Sequence, residues 1–191
     1  AYNSQFAQAI QTDLFSKVLM GTYDVQAAYM RTRGVFTNTT PVDAYRGAGR
    51  PEAIFVLERS MDEAARQLGV DAWDLRRKNF IAPDQFPYTS ATGVTYDIGE
   101  FARVLTKAEE NSDRDGFKAR RVVSAKDGKL RGQGLCYYIE SILGDPSETA
   151  KVAFTDEGAE IYVGTQSNGQ GHETVYAQFL SDQTGIPAVK I

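Results

Sequence analysis

Apolar residues recur at helical spacing in one long stretch of the chain, and this stretch is the clearest element of the sequence. Pro51 suits the first turn of a helix, where its missing N–H costs nothing, and Gly69 suits the end. Between them, one helical face carries the apolar positions Ala53, Val56, Leu57, Met61, Ala64, Ala65 and Leu68. The pattern predicts a helix from Pro51 to Gly69.

Three further stretches carry helical patterns. Asp71 has the properties of an N-cap, and the helix that it starts is expected to run through Arg77 and to form a helical hairpin with the first. Residues 98–110 return to helical spacing. The last pattern covers residues 172–184, where Gly185 and Pro187 predict the end of the helix.

Stretches rich in β-branched and aromatic side chains predict extended structure in both halves of the chain. Near the amino end, the expected strands lead into a glycine-rich segment. Near the carboxyl end, a short turn at residues 156–158 is expected to join two strands as a hairpin. The predicted strands cover residues 27–32, 34–39, 130–141, 150–155 and 159–165.

The order of these elements predicts an α+β fold, with a helical half followed by a strand-rich half. Residues 81–95 contain two prolines and a glycine and are expected to form a loop. The charged, glycine-punctuated residues 111–116 are expected to form a linker. We therefore expect two domains, over residues 1–115 and 116–191.

Composition and charge exclude some classes of function. The 191 residues are 42% hydrophobic, enough for a sizeable core, and their formal net charge is −4 with a pI near 5.1. An acidic chain lacks the concentrated basic surface that nucleic-acid binding requires. The one basic cluster, Arg76-Arg77-Lys78, is expected to be a solvated helix face.

The cysteine count and the amino end indicate the cellular setting. Cys136 is the single cysteine, so neither an internal disulfide nor an iron–sulfur cluster can form within the chain. No apolar run of about 20 residues and no signal-peptide pattern is present. We expect a cytoplasmic protein without a membrane segment, and we expect the sequence to be a fragment of a longer polypeptide.

Two glycine-rich motifs precede predicted helices, and they carry most of the functional information. The first is Ala44-Tyr45-Arg46-Gly47-Ala48-Gly49-Arg50-Pro51-Glu52-Ala53, and the second is Gly164-Thr165-Gln166-Ser167-Asn168-Gly169-Gln170-Gly171-His172-Glu173-Thr174. The start of a helix leaves backbone N–H groups without internal partners, and glycines allow a bulky anion to approach them. A phosphate-bearing ligand is therefore the natural candidate.

The second motif does not match the common nucleotide-binding patterns. Its glycines follow neither the G-x-G-x-x-G spacing nor a Walker A loop, since His172 follows Gly171 and no lysine is nearby. The Gln170 amide can donate and accept hydrogen bonds. Spacing alone favours an ordinary tight turn, and His172, the only histidine, is expected to have a structural role.

Three other side chains stand out, each with a plain alternative. The Arg46 guanidinium could reach an electron-rich atom of a ligand, although on charge alone a surface salt bridge is the simpler interpretation. Glu140 follows the apolar residues 135–139 near the end of the predicted strand, where an isolated glutamate is usually solvated. Cys136 lies within that apolar strand and is expected to be buried.

Together, the two motifs resemble the large, molybdenum-binding subunit of the molybdenum hydroxylases, the family of xanthine dehydrogenase, aldehyde oxidoreductase and aerobic carbon monoxide dehydrogenase. The resemblance runs from Gly34 to Gln178. It implies that Arg46 is catalytic and lies beside the molybdenum cofactor. It also implies that Gly169, Gln170 and Gly171 contact the pterin, and that the substrate pocket is lined by Gly47, Ala48 and Glu140.

The chain departs from its relatives at two of these positions. Xanthine dehydrogenases carry a phenylalanine at the position of Ala48, and carbon monoxide dehydrogenases carry a copper-binding cysteine at the position of Gly47. Without the ring, a flat purine loses a stacking surface, and without the thiolate no soft ligand holds Cu(I). The resemblance therefore implies oxidation of an aldehyde or an N-heterocycle, with water as the oxygen source, rather than of carbon monoxide.

The resemblance also implies further components. The cofactor is expected to be molybdopterin cytosine dinucleotide, with FAD and [2Fe-2S] clusters in partner subunits of a heterotrimer that can dimerise. The family's general base is expected to lie outside this fragment, which alone should be inactive. Two alternatives remain open from the residues: a noncatalytic domain that binds another nucleotide or phosphate, and a scaffold in which both motifs are merely turns.

Overall fold

The computed structural model describes residues 7–141 and 147–191, and it shows a mixed α and β fold. Its contacts divide the chain into two compact units, Ala1–Ser141 and Ile142–Ile191. The first unit contains helices α1 (Ala7–Val18), α2 (Arg50–Leu68), α3 (Ala72–Asn79), α4 (Phe101–Asn111) and α5 (Phe117–Lys126), and strands β1 (Tyr88–Thr89) and β2 (Thr95–Tyr96). The second contains β3 (Lys151–Thr155), β4 (Gly158–Tyr162) and α6 (His172–Thr184). The predicted domain boundary near residue 115 stays a prediction.

The predicted helical hairpin is confirmed. Gly69 ends α2 in the left-handed region, with φ +68°, and its N–H bonds back to carbonyls of the last turn. Asp71 caps α3, since its carboxylate accepts the N–H groups of Trp73 at 2.7 Å and Asp74 at 3.1 Å. Local capping chemistry thus determines where α2 ends and α3 begins.

The region after α3 is partly as predicted. The expected loop over residues 81–95 contains a 3₁₀ turn at Pro83–Gln85 and leads into the short β1–β2 hairpin. Helix α4 begins at Phe101 rather than at Ile98, because the Asp97 carboxylate accepts the Ile98 N–H at 2.9 Å and forms a local turn before the helix. The expected linker is a turn, but α5, which follows it, was not predicted.

The predicted strands over residues 27–32 and 34–39 are wrong. This described part of the chain forms no β-ladder, and all of its side chains are exposed. A single antiparallel bridge joins Tyr23 to Phe80 just before it. Alternating apolar residues become a strand only when a second strand satisfies their backbone groups, and within residues 7–141 and 147–191 none pairs with this segment.

The predicted strand over residues 130–141 is also wrong, because this segment finds another partner for its backbone. The Tyr137 N–H donates to the Glu58 carboxylate at 2.8 Å, and the Tyr137 hydroxyl donates to the Phe101 carbonyl at 2.9 Å. The segment therefore packs on helices α2 and α4 instead of joining a ladder. Cys136, expected to be buried, is exposed.

The hairpin and the helix predicted near the carboxyl end are confirmed. Strands β3 and β4 pair antiparallel, with Phe154 opposite Ala159 and Thr155 opposite Gly158. A Cβ atom at Gly158 would lie 2.0 Å from the Lys190 carbonyl oxygen, so only glycine allows this close approach. Helix α6 spans the predicted residues and ends at Gly185.

The core of the first unit is aromatic. Phe80 stacks on Tyr23 with ring centroids 5.7 Å apart and packs against Tyr137 at 4.8 Å. The buried cluster consists of Tyr23, Trp73, Phe80, Leu105 and Tyr137. It collects side chains from α3, from α4, from the residues flanking α1 and α3, and from the irregular segment 130–141, which explains how that segment is held in place.

A buried ion network adjoins this core. Arg76 is fully buried, contrary to the expected solvated basic face, and donates from Nε to Glu58 at 2.8 Å and from Nη2 to Asp62 at 2.9 Å. Glu58 also accepts the Tyr23 hydroxyl at 2.5 Å. Burial raises the pKa of Tyr23, and the hydrogen bond to Glu58 raises it further, so Tyr23 stays neutral and donates.

Candidate functional site

The first motif forms a tight loop against α1. Gly47 and Gly49 have φ of +92° and +84°, values that favour glycine. The Ala48 N–H donates to the Tyr45 carbonyl at 2.7 Å, which closes the turn. A Cβ atom at Gly49 would lie 2.1 Å from the Gln11 carbonyl oxygen, so the loop touches the α1 backbone directly. These glycines fix the loop in one conformation.

The start of α2 offers less to an anion than the sequence suggested. The Arg50 N–H donates to the Gly47 carbonyl at 3.0 Å, and the Ala53 N–H donates to the Gly49 carbonyl at 3.1 Å. Pro51 has no N–H, and Glu52 places a carboxylate in the first turn. Hydrogen bonds to the loop carbonyls therefore occupy most of the N–H groups that a phosphate would need.

Arg46 projects from this loop with its side chain exposed. Within residues 7–141 and 147–191 it makes no ion pair, so the surface salt bridge that its charge alone suggested is not formed there. Gly47 and Ala48, which follow it, are half-buried. A permanently charged guanidinium thus stands beside two small residues, which leaves room for another molecule next to it.

Arg50 joins this loop to Glu140, and sequence reasoning missed it. Its guanidinium donates from Nη1 to the Glu140 carboxylate and to the Ser141 carbonyl, and from Nε to the Gly47 carbonyl at 3.2 Å. Glu140 and the Arg46 loop are therefore brought together in the first unit. The signal was present in the sequence, because Arg50 lies inside the first motif, directly before Pro51.

The second motif lies in the second unit and is open. Gly169 and Gly171 have φ of +99° and +75°, and no described atom lies within 4 Å of the place where a Cβ would stand at either. The Gln170 side chain accepts the Asn168 N–H at 2.6 Å, and the Gly171 N–H donates to the Ser167 hydroxyl at 3.1 Å. The turn is thus held by its own polar groups while one side remains clear.

The first turn of α6 completes this open site. Among the described residues no side chain caps α6, so its first N–H groups remain available to a ligand. The His172 ring stacks on Tyr176 with centroids 5.1 Å apart, and its buried Nδ1 has no partner among the described residues. Beside them lies a cleft of about 450 Å³, also lined by Ile161 and Gln166. Such an arrangement suits a polar or anionic group.

The described residues give less support to a metal site, a membrane span or a reactive thiol. Within residues 7–141 and 147–191, no three His, Cys, Asp or Glu side chains are grouped so that they could hold a metal ion. In the same residues, none of the helices combines the length and the apolar character needed to cross a membrane. Exposed Cys136 has its thiol pKa raised by partial burial of the sulfur and by the nearby Glu58 charge, which disfavours a nucleophilic thiolate.

Two family models match the chain, over residues 1–80 and 107–191, and each describes a molybdopterin cofactor-binding domain. The chain belongs to the molybdopterin-binding large-subunit family of the molybdenum hydroxylases. Molybdopterin is therefore the cofactor class of this segment, as the resemblance of the two motifs implied.

Individual members of this family are similar over most of the chain. The carbon monoxide dehydrogenase large chain of Afipia carboxidovorans is 34% identical, over 91% of this chain and 24% of its own length. The nicotine 6-hydroxylase large subunit of Paenarthrobacter nicotinovorans is also 34% identical, over 87% of this chain and 22% of its own. The crystal structure of quinoline 2-oxidoreductase from Pseudomonas putida 86 matches with a TM-score of 0.74 at 27% identity, over 97% of this chain and 25% of that one.

The chain thus spans about a quarter of the length of the molybdenum hydroxylase subunits that it matches. The residues that the resemblance predicts for the site lie in two places: Arg46, Gly47, Ala48 and Glu140 in the first unit, and residues 169–171 in the second. The similarity in structure confirms the predicted mixed α and β fold.

Proposed function

We propose that the chain is part of the molybdopterin-binding subunit of a molybdenum hydroxylase, an oxidoreductase that oxidises an aldehyde or an N-heterocycle with water as the oxygen source. The observation that carries this proposal is the open glycine turn at the uncapped start of α6. The relatives named above are hydroxylases, dehydrogenases and oxidoreductases by name, so the alternative of a noncatalytic nucleotide-binding domain finds no support in them.

The second-unit site supplies the cofactor contacts. Gly169 and Gly171 leave the backbone accessible, and the first N–H groups of α6 favour an anionic or electron-rich group at this place. The Gln170 amide adds one side chain that both donates and accepts. The unpartnered His172 Nδ1 offers one more hydrogen-bonding atom beside the cleft. We propose that the cofactor held here is the cytosine dinucleotide form of molybdopterin.

Arg46 supplies charge on the substrate side. The molybdenum cofactor, when bound, supplies the redox chemistry of the reaction. The Arg46 guanidinium is exposed, and within residues 7–141 and 147–191 no carboxylate pairs with it. It can therefore hold an electron-rich oxygen or nitrogen atom of the substrate in place and stabilise negative charge that develops there.

The small residues after Arg46 support the choice of substrate. Ala48 provides no ring on which a purine could stack. A cysteine at Gly47, with φ +92°, would be strained and would place its Cβ about 3.2 Å from Pro51, so this loop is built for glycine rather than for a copper ligand. Nicotine and quinoline, named in two relatives, are N-heterocycles. An N-heterocycle or an aldehyde therefore fits better than carbon monoxide.

The partners follow from the same family. The relatives are named as a large chain and a large subunit, which presupposes smaller subunits in their complexes. We propose that an iron–sulfur subunit and an FAD subunit accept the electrons in a cytoplasmic heterotrimer. No nucleic-acid partner is proposed, because the net charge of the chain is −4.

The test uses the full-length parent subunit expressed with its neighbouring subunits in a host that makes the cofactor. Elemental mass spectrometry measures molybdenum per complex, and acid hydrolysis followed by chromatography measures the released nucleotide. Near-stoichiometric molybdenum with cytosine nucleotide is expected. A folded complex that contains another nucleotide and no molybdenum would contradict the proposal and favour the noncatalytic domain.

The role of Arg46 is tested in the same complex with Arg46→Met, and Arg103→Met serves as the control. Both side chains are exposed, but Arg103 lies on α4 and pairs with Glu100. Arg46→Met is expected to reduce kcat/KM for the best aldehyde or N-heterocycle by about 100-fold, the usual loss when one charge-stabilising group is removed. Equal, small effects of the two variants would exclude a catalytic Arg46.

A further inference from the structure

We infer that Arg50 is a positioning residue of this site: it holds the Arg46 loop and Glu140 in one arrangement. The inference rests on the proposed function of Arg46. It concerns a residue to which the proposed function assigns no contact with substrate or cofactor. Its role follows from three contacts of a single guanidinium.

The contacts connect two segments that are 90 residues apart in the chain. Nε of Arg50 donates to the Gly47 carbonyl at 3.2 Å, and Nη1 donates to both the Glu140 carboxylate and the Ser141 carbonyl. The Arg50 N–H also donates to the Gly47 carbonyl, at 3.0 Å. The carbonyl of Gly47, the residue after Arg46, is thus held twice by Arg50.

Of the two side chains in this ion pair, that of Arg50 is the more buried. The Arg50 side chain is 12% exposed, while that of Glu140 is 51% exposed. A buried guanidinium requires a partner for its charge, and among residues 7–141 and 147–191 Glu140 is the carboxylate that contacts it. The pair is therefore a constraint on where Glu140 can lie, rather than an optional surface contact.

A consequence for Glu140 follows from the same pair. Its Oε1 accepts from Arg50 and also from the Ser141 N–H at 2.9 Å. These two donors fix the orientation of the carboxylate. Glu140 therefore acts as the counter-ion of Arg50 rather than as the general base.

A second attachment fixes the same segment from inside the core. The Glu58 carboxylate accepts the Tyr137 N–H at 2.8 Å, three residues before Glu140. Glu58 and Arg50 both belong to α2. One helix thus carries the Arg46 loop at its amino end and holds residues 137–141 at two points, so the two walls keep a fixed spacing.

The shape of the side chain explains why arginine occupies this position. The guanidinium uses two different nitrogen atoms, directed at the loop carbonyl and at the Glu140 segment. A lysine offers one compact ammonium group on a flexible stem and cannot hold both directions in one geometry. Arg50→Lys should therefore restore charge without restoring the link.

The experiment uses the full-length subunit in its complex and compares Arg50→Met, Arg50→Lys and Glu140→Gln. Arg66→Met is the control, since Arg66 lies on the same helix and pairs with Glu63 at the surface. Hydrogen exchange followed by mass spectrometry reports on residues 44–49 and 137–141. Arg50→Met should speed exchange in both segments together by about tenfold, and the control should change neither.

The pH dependence of kcat separates positioning from proton transfer. Glu140→Gln keeps an oxygen acceptor for Arg50 but loses the charge, so it should lower kcat less than Arg50→Met does, and neither variant should change the shape of the pH profile. The double variant should be no worse than Arg50→Met alone, because Arg50→Met already removes the contact with Glu140. Unchanged exchange at residues 137–141 in Arg50→Met, or loss of the acid limb of the pH profile in Glu140→Gln, would overturn the inference.

Failure of this inference can be told from failure of the proposed function. A wild-type complex without molybdenum would refute the function, while the exchange experiment would still decide whether Arg50 links the two segments. A complex with molybdenum in which Arg50→Met affects exchange in residues 44–49 alone would refute the positioning role and leave the function standing.

Discussion

Replacement of Glu58 by methionine tests how the irregular segment around Tyr137 is held. In the wild type, one Glu58 oxygen accepts the Tyr23 hydroxyl at 2.5 Å, and the other accepts Arg76 Nε and the Tyr137 N–H, both at 2.8 Å. Methionine fills a similar volume but accepts none of these bonds. The substitution leaves a buried guanidinium, a buried hydroxyl and a buried N–H group without their partner.

The expected cost follows from these contacts. Removal of one partner of a buried ion pair costs about 3–5 kcal/mol, because the remaining charge stays uncompensated. Asp62 continues to pair with Arg76 at 2.9 Å, which places the cost at the lower end, about 3 kcal/mol. In Glu58→Gln, the amide oxygen can face Arg76 and Tyr137 while its NH₂ group donates to the Tyr23 oxygen, so the charge and the acceptor for the Tyr23 hydroxyl proton are lost but the other hydrogen bonds are kept.

Hydrogen exchange of residues 135–141 and of α3 in the full-length subunit measures this cost. A loss of about 3 kcal/mol in the free energy of local opening speeds exchange by more than about 100-fold. Glu58→Gln should fall between that value and the wild type. Glu63→Met is the control, since Glu63 is exposed on the same helix and should change exchange less than about fivefold. An effect of Glu58→Met no larger than that of the control would refute the reasoning.

Two further substitutions test local structure. Gly49 and Gly93 share a φ of +84°, but only at Gly49 would an alanine Cβ lie 2.1 Å from the Gln11 carbonyl oxygen. Gly49→Ala should therefore speed exchange of the α1 amides far more than Gly93→Ala does. Equal effects of the two variants would contradict the contact. Partial burial raises the pKa of Asp71, but the N–H groups of α3 and the Arg114 charge outweigh it and hold the pKa below its usual value. Asp71→Ala should therefore cost α3 about 1 kcal/mol at pH 7. A carboxylate whose pKa is lowered by folding stabilises the fold at pH values above its unfolded pKa, which is about 3.9. The difference in exchange between Asp71→Ala and the wild type, compared at the same pH, should therefore shrink as the pH falls below about 4. A difference that stays constant would exclude the linkage.

Local signals predicted helices α2, α3, α4 and α6, but they missed α1 and α5. The Pro51 and Gly69 signals, the Asp71 cap and the Gly185 stop act within a few residues, so the sequence alone shows them. The β3–β4 hairpin was predictable for the same reason, since its strands are joined by a two-residue turn.

Contacts between distant residues were not predictable. Residues 27–39 and 130–141 have the composition of strands, but a ladder requires a partner, and the Tyr137 N–H instead meets a carboxylate 79 residues away. The burial of Arg76 depends on Glu58 and Asp62 in another helix, which no charge pattern within the Arg76-Arg77-Lys78 cluster reveals.

The candidate site shows the same division. The glycine motifs were recognisable because their residue types reflect the left-handed backbone that they adopt. Arg50 was overlooked because its importance comes from its contact with Glu140, 90 residues further on. The roles of Arg46, Gly169, Gln170 and Gly171 remain proposals that rest on the family resemblance and on this geometry.

The most direct test of the central claim compares the two ends of α6. Gly171 and Gly185 have φ of +75° and +76°, and at neither does a described atom lie within 4 Å of a Cβ, so alanine costs the same backbone strain at both. Molybdenum per full-length complex is measured for Gly171→Ala, Gly185→Ala and the wild type. The account predicts a loss of molybdenum in Gly171→Ala alone, because only there would the methyl group enter the cofactor site. Wild-type molybdenum content in Gly171→Ala, or equal loss in both variants, would contradict it.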